Sequence, residues 1–235
     1  MVAHLVLVHG SRLGSSQWAP LLPLLRDRAT VTLVDLPGHR GRVDETFTLE
    51  RCVEVVHEAV HRQERPVLVG HSLGGYVAMA YAAARPDVLA GLVIADASAT
   101  PTGPGATVYR RVAALTDRLG PRRMTRVNDW VLRRLYPPER IEPVIAGGYS
   151  FDQTAAAWDE VMTHCRPAML TGLPCPVLLL NGQFDQFRLG TRAFVRAATH
   201  VRVEVIRRAG HLAPLDQPEA FAAAVLSFAD SATRR

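Results

Sequence analysis

Ser72 stands between two glycines in Gly70-His71-Ser72-Leu73-Gly74, and a serine in that spacing can act as a nucleophile. The run Val67-Leu68-Val69 before it is apolar and β-branched, as a buried strand requires. The run Gly75-Tyr76-Val77-Ala78-Met79-Ala80 after it has a small-residue helical pattern. A serine on a sharp strand-to-helix turn takes up strained backbone angles, and its close neighbours cannot carry bulky side chains. Gly70 and Gly74 remove that conflict, while Gly75 and Ala78 let the helix lie close to the sheet. The hydroxyl then stands above the free N–H groups that open the helix. The same pattern also occurs as an ordinary glycine-rich turn, so its meaning depends on what else reaches the serine.

The elements that would position it follow in order. His4-Leu5-Val6-Leu7-Val8 reads as a short buried strand, ending in the polar loop His9-Gly10-Ser11-Arg12-Leu13-Gly14. Ser16 is expected to cap a helix running through Trp18 and Leu21 to Leu25, with Pro20 in its first turn. Thr30 to Val34 is the next strand, and Asp35-Leu36-Pro37-Gly38-His39 turns the chain. A helix is expected over 48–63, with Cys52, Val53, Val56 and Val60 on its apolar stripe. After the Ser72 helix, Leu89 to Ile94 is another continuous apolar strand. Such strands are buried on both faces, so the alternation predicts an α/β fold with a mostly parallel central sheet flanked by helices.

The rhythm breaks in the small, proline-rich stretch from Asp96 to Gly105, which reads as a hinge or loop. Helical pieces are expected over 108–119, 122–135, 138–147 and 153–165, without a strand. This segment, 101–166, reads as a helical cap inserted into a core made of 1–100 and 167–235. The sheet resumes with Val177 to Asn181, and Gly182-Gln183-Phe184-Asp185 follows directly. A helix from Leu189 to Ala198 leads to the last strand, Val201 to Ile206, and then to Ala209-Gly210-His211. A terminal helix is expected over 218–228, with 231–235 as a frayed tail.

Bulk properties narrow the function. With 235 residues, 48% of them hydrophobic, the chain can bury a full core. It has no apolar run long enough for a membrane span and no signal-peptide pattern, so a cytoplasmic protein is expected. Cys52, Cys165 and Cys175 are scattered, which fits neither a disulfide scaffold nor a metal spacing. The formal charge is +5 and every Lys or Arg position is arginine, which excludes lysine Schiff-base and phosphate-loop lysine chemistry. The arginines are spread along the chain without a nucleic-acid module, so no nucleic-acid partner is expected. No cofactor and no metal is expected either.

Five pieces together resemble the α/β-hydrolase superfamily: Leu7-Val8-His9-Gly10, Asp35-Leu36-Pro37-Gly38-His39, Gly70-His71-Ser72-Leu73-Gly74-Gly75, Gly182-Gln183-Phe184-Asp185 and Ala209-Gly210-His211. Each is modest alone, but the order serine, acid, histidine is the one that fold uses. The resemblance implies Ser72 as nucleophile and His211 as its general base, with Asp185 holding the histidine. Asp96, after the preceding strand, is the alternative acid, since some members carry it there. Asp216 lies too soon after His211 to be chosen. The Leu73 and Ser11 N–H groups are the implied oxyanion donors. His9 is expected to order its loop, and His71 to be structural or pocket-lining. Arg12, Trp130, Tyr149 and Trp158 are candidate pocket residues. One departure is Arg40, at the position after His39 where the family usually has glycine.

A serine-centred site points to acyl transfer to water from a small-molecule ester or thioester. C–C bond hydrolysis or elimination on the same residues is the alternative, and so is a noncatalytic ligand-binding protein. Arginines at 110, 111, 118, 122, 123, 126, 133, 134 and 140 could meet an acidic carrier bearing the acyl group, or form a solvated helical face.

Overall fold

The computed structural model describes residues 2–100 and 120–234. Among them, six strands make one sheet: β1 Ala3–Val8, β2 Ala29–Val34, β3 Val67–His71, β4 Gly91–Ala95, β5 Val177–Gly182 and β6 Val201–Ile206. Their order is β2-β1-β3-β4-β5-β6, and every pairing is parallel. The inner strands β1, β3, β4 and β5 are mostly apolar because both faces are covered, whereas the edge strands β2 and β6 alternate apolar residues with Thr, Arg or Glu and are partly exposed. Leu5, Leu7, Val67, Val69, Val93 and Leu178 point to one face, where they meet Trp18, Phe221 and Phe228. Val6, Val8, Leu68, Ile94 and Leu179 point to the other, where they meet Val56, Tyr76 and Tyr81.

The longer helices of the described residues are α1 Leu49–Val60, α2 Leu73–Ala84, α3 Pro121–Leu135, α4 Pro138–Ile145, α5 Thr154–His164, α6 Thr191–Ala197 and α7 Pro218–Ala232. None is long and apolar enough to cross a membrane. Helix α1 starts where expected, with the Thr48 hydroxyl accepting the Arg51 N–H at 3.1 Å. Helix α2 is buried almost all round, so its sequence is small and apolar rather than striped.

Strand order reverses about β1, whose neighbours are β2 on one side and β3 on the other. The loops after β1 and β3 therefore separate at their carboxyl ends, and that crevice is where ligands bind in open α/β sheets. Both the Ser11 loop and Ser72 lie there.

Several local expectations change. Ser16 does not cap a helix: a one-turn helix, Ser15–Trp18, starts after Gly14, and a second, Leu22–Leu25, follows. The Ser16 hydroxyl donates instead to the Val144 carbonyl at 3.3 Å. The terminal helix continues to Ala232 rather than fraying from Ser231, because Phe228, Ala229 and Ala232 are still packed in the core. The helix expected over 108–119, with Arg110, Arg111 and Arg118, lies outside the described residues. In the described part of 101–166 there are three helices and no strand. They do not behave alike. Ala157, Trp158, Val161 and Met162 of α5 belong to the main core, whereas Leu132, Tyr136, Ile141 and Val144 form a small cluster with Leu13 and Leu215.

His9 ties the ends of β1 and β2 together. Its Nε2 accepts the Leu36 N–H at 3.0 Å, and its Nδ1–H donates to the Gly10 carbonyl at 2.8 Å. The Leu36 bond needs the neutral ring, since a protonated Nε2 could not accept. Burial, with His39 alongside, holds its pKa well below the usual histidine value.

Two outcomes follow from these contacts. A Cβ on Gly70 would overlap the backbone of Gly74 and Gly75, so Gly70→Ala is expected to lower unfolding free energy by about 2–4 kcal/mol in urea titrations. Because the folded pKa of His9 is depressed, its contribution is intact above the unfolded value of about 6.5 and is lost as pH falls below it. Replacing it by His9→Asn should flatten the fall in stability between about pH 7.5 and pH 5.5, measured by denaturation at both pH values.

Candidate active site

Ser72 is the residue between β3 and α2, with φ 51° and ψ −117°. A non-glycine residue there is strained by about 1–3 kcal/mol and is held only because its surroundings leave no alternative. The Ser72 N–H donates to Ala95 O at 2.8 Å, and its own carbonyl accepts the Gly75 N–H at 2.9 Å. A Cβ on Gly74 would overlap the carbonyls of Val8 and His9, so α2 lies directly on the end of β1. Leu73 opens α2, and its N–H has no preceding turn to bond to.

Ser72 Oγ lies 3.0 Å from His211 Nε2. On the other side of the ring, His211 Nδ1–H donates to Asp185 Oδ1 at 2.9 Å. Asp185 is buried, and the same oxygen accepts the Phe187 N–H at 3.1 Å, opening the one-turn helix Gln186–Gly190. This aspartate is thus both a helix cap and the carboxylate on the histidine. The Phe187 ring stands edge-on to the imidazole, with centroids 4.7 Å apart.

Asp96 goes elsewhere. Its Oδ1 accepts the Gly182 N–H at 2.7 Å, tying β4 to β5, and its Oδ2 is 3.5 Å from His71 Nε2. Burial pushes its carboxyl above the usual carboxylate range. His71 is itself buried, and its Nε2–H donates to the His211 backbone carbonyl at 2.8 Å. The residue beside the serine therefore holds the main chain of the histidine loop.

The loop after β1 is held by a residue that sequence reasoning passed over. Gln17 Oε1 accepts the Gly10 N–H at 2.9 Å, which commits that amide and leaves Ser11 as the next in line. The Ser11 hydroxyl accepts from Trp158 Nε1–H at 3.4 Å. Trp158 is buried, edge-on to Tyr76 and Phe187, so it supports the site from behind. Arg40 has φ 42°, a left-handed angle that explains why glycine is the easier residue there.

A cleft of about 300 Å3 opens over the serine, lined by Ser11, Arg12, Asn128, Leu132, Tyr149 and Leu212 among others. The Tyr149 hydroxyl donates to Asp129 Oδ1 at 2.8 Å. Trp130 is not in this cleft. It is 69% exposed on the outer side of α3, beside Arg126 and Arg133, because Leu132 and Met124 occupy the inward stripe. Within the described residues no three His, Cys, Asp or Glu side chains are grouped as metal ligands.

The family model described as "Alpha/beta hydrolase family" matches residues 5–224. A pimeloyl-[acyl-carrier protein] methyl ester esterase of Xylella fastidiosa is 43% identical over 84 residues, which are 36% of this chain and 32% of that protein. The chain thus matches about a third of that curated relative's length. A thermophilic esterase from Thermogutta terrifontis has 30% identity and a TM-score of 0.78, covering 98% of this chain and 90% of that one. MenH from S. aureus, at 20% identity, shares the fold with a TM-score of 0.80, covering 99% of this chain and 95% of that one. The match along nearly the whole chain, on a parallel sheet with the serine at its turn, makes this chain a member of the α/β hydrolase family.

Proposed function

We propose that the protein is a serine hydrolase that cleaves a small carboxylic ester or thioester through an acyl-enzyme on Ser72. The observation that carries this reading is the unbroken line from Ser72 Oγ to His211 Nε2 at 3.0 Å and from His211 Nδ1 to Asp185 Oδ1 at 2.9 Å. A hydroxyl is a weak nucleophile at neutral pH and needs a base at hydrogen-bond distance. In this reading Ser72 Oγ attacks the acyl carbon while its proton passes to His211 Nε2. Asp185 fixes the tautomer that leaves Nε2 free to accept, and it steadies the imidazolium that forms. Negative charge develops on the carbonyl oxygen, where the Leu73 and Ser11 N–H groups supply the donors. His211 returns the proton to the departing alkoxide or thiolate. Water then repeats the sequence on the acyl-enzyme and releases the carboxylic acid.

Asp185 is the preferred acid because Asp96 is engaged by Gly182 and His71. A second reading concerns how the acyl group arrives. The esterase named for Xylella fastidiosa acts on an ester carried by an acyl-carrier protein. Arg122, Arg123, Arg126 and Arg134 are exposed on α3, one wall of the Ser72 cleft, and would suit an acidic carrier.

With p-nitrophenyl acetate, Ser72→Ala should lower kcat by at least about 10³-fold without loss of fold by circular dichroism. Retention of turnover by that variant would end this reading. Asp185→Asn should cost about 10³–10⁴-fold in kcat, and Asp96→Asn far less. The opposite ranking would move the acid to Asp96. For the carrier, Arg126→Glu should reduce kcat/KM several-fold on a carrier-bound methyl ester, with a loss that shrinks in high salt, and leave p-nitrophenyl acetate unaffected. Equal effects on both substrates would remove the carrier from the reading.

A further inference from the structure

Asp216 lies just beyond the histidine loop, and its two carboxylate oxygens serve two parts of the molecule. Oδ2 accepts the Gly210 N–H at 2.6 Å, one residue before His211. Oδ1 accepts the Tyr136 hydroxyl at 2.5 Å. Tyr136 is the buried residue that ends α3, and burial beside this carboxylate raises the pKa of its phenol, which stays a donor. Arg140 of α4 adds a second tie, its Nη1 donating to the Leu215 carbonyl at 3.1 Å and more loosely to that of Asp216 at 3.4 Å. Around these bonds Leu212 and Leu215 pack with Leu132, Ile141 and Val144 of α3 and α4, and with Leu13 from the loop after β1.

We propose that Asp216 and Tyr136 form a latch through which α3 sets the position of His211. The proposal rests on the reading of Ser72, His211 and Asp185 given above, and it makes Asp216 a positioning residue. Asp216 acts through the Gly210 amide. Gly210 has no side chain to fix its backbone, and His211 sits on a loop beyond the edge strand β6. The imidazole must nevertheless face Ser72 and Asp185 together. His71 restrains the loop at the His211 carbonyl, and Asp216 restrains it at the preceding amide. Because both oxygens of Asp216 are committed, a shift of α3 is carried to Gly210. The same helix lines the Ser72 cleft through Asn128, Val131 and Leu132. Filling the cleft therefore bears on the histidine as well as on the pocket wall.

The test compares Asp216→Ala, Asp216→Asn, Tyr136→Phe and the Asp216→Ala/Tyr136→Phe double variant on p-nitrophenyl acetate, with thermal melts of each. Losing the acceptor that holds the Gly210 amide should lower kcat in Asp216→Ala about tenfold, with KM within about twofold. Asp216→Asn should recover most of that loss, since its carbonyl can accept from Gly210 while its amide donates to the Tyr136 oxygen. Tyr136→Phe should lower kcat about threefold alone and add nothing in the double variant. Wild-type kcat in Asp216→Ala, equal losses in the Ala and Asn variants, or additive losses in the double variant would each overturn the latch. If Asp216→Ala does not fold, Tyr136→Phe, which removes one oxygen, decides by itself, and unchanged kcat overturns the latch. Ser72→Ala in the same assay separates the two ideas: if it is inactive while the latch variants are normal, only the latch fails, and if it is active, the reading of the site fails first.

Discussion

The tight contact between the start of α2 and the end of β1 is the constraint on which the site depends. Gly74 lies against the carbonyls of Val8 and His9, and Gly70 against the backbone of Gly74 and Gly75. These approaches force the chain to turn within one residue, which leaves Ser72 at φ 51°. Strain of this kind persists only where a rigid core overrides it. Here the core is β3, buried along its whole length between two apolar layers. The same contact brings the end of β1, and with it the loop that follows, against the start of α2.

The histidine loop presents the opposite problem. It leaves the edge strand β6, and beside the apolar contacts of Ala209 and Leu212 several polar ties position it. Asp185 and Phe187 hold the ring, His71 holds the His211 carbonyl, and Asp216 holds the Gly210 amide. Asp96 and His71 form a buried layer behind Ser72, His211 and Asp185, of which only His211 is partly exposed. The Asp96 carboxyl, raised by burial, is a fixed acceptor for the Gly182 amide.

Most of the fold was legible in the chain because its signals are local. Apolar runs such as Leu5 to Val8 and Val177 to Leu180 mark inner strands covered on both faces, while the edge strands β2 and β6 alternate apolar residues with Thr, Arg or Glu. Helices α3, α4 and α5 were readable from their periodicity. What the periodicity did not tell is which neighbour each face would meet. Trp130 and Trp158 looked alike as pocket candidates, yet one is on the outer surface and the other is buried behind Ser11. Ser16 looked like a cap and became a donor to Val144 on the facing helix. Asp216 was set aside for its closeness to His211, although that closeness lets it reach the Gly210 amide.

The sequence by itself determined the parallel sheet, the strained serine turn and the presence of an acid and a histidine after late strands. Those features arise from sterics and burial within short segments. Only the tertiary structure decided which acid meets which histidine and which helix faces the cleft. Ser72 and His211 are 139 residues apart, and His211 and Asp185 are 26 apart. Contacts across such separations depend on how the sheet orders its strands and how the loops fold back over their ends, and no local pattern of residues carries that information.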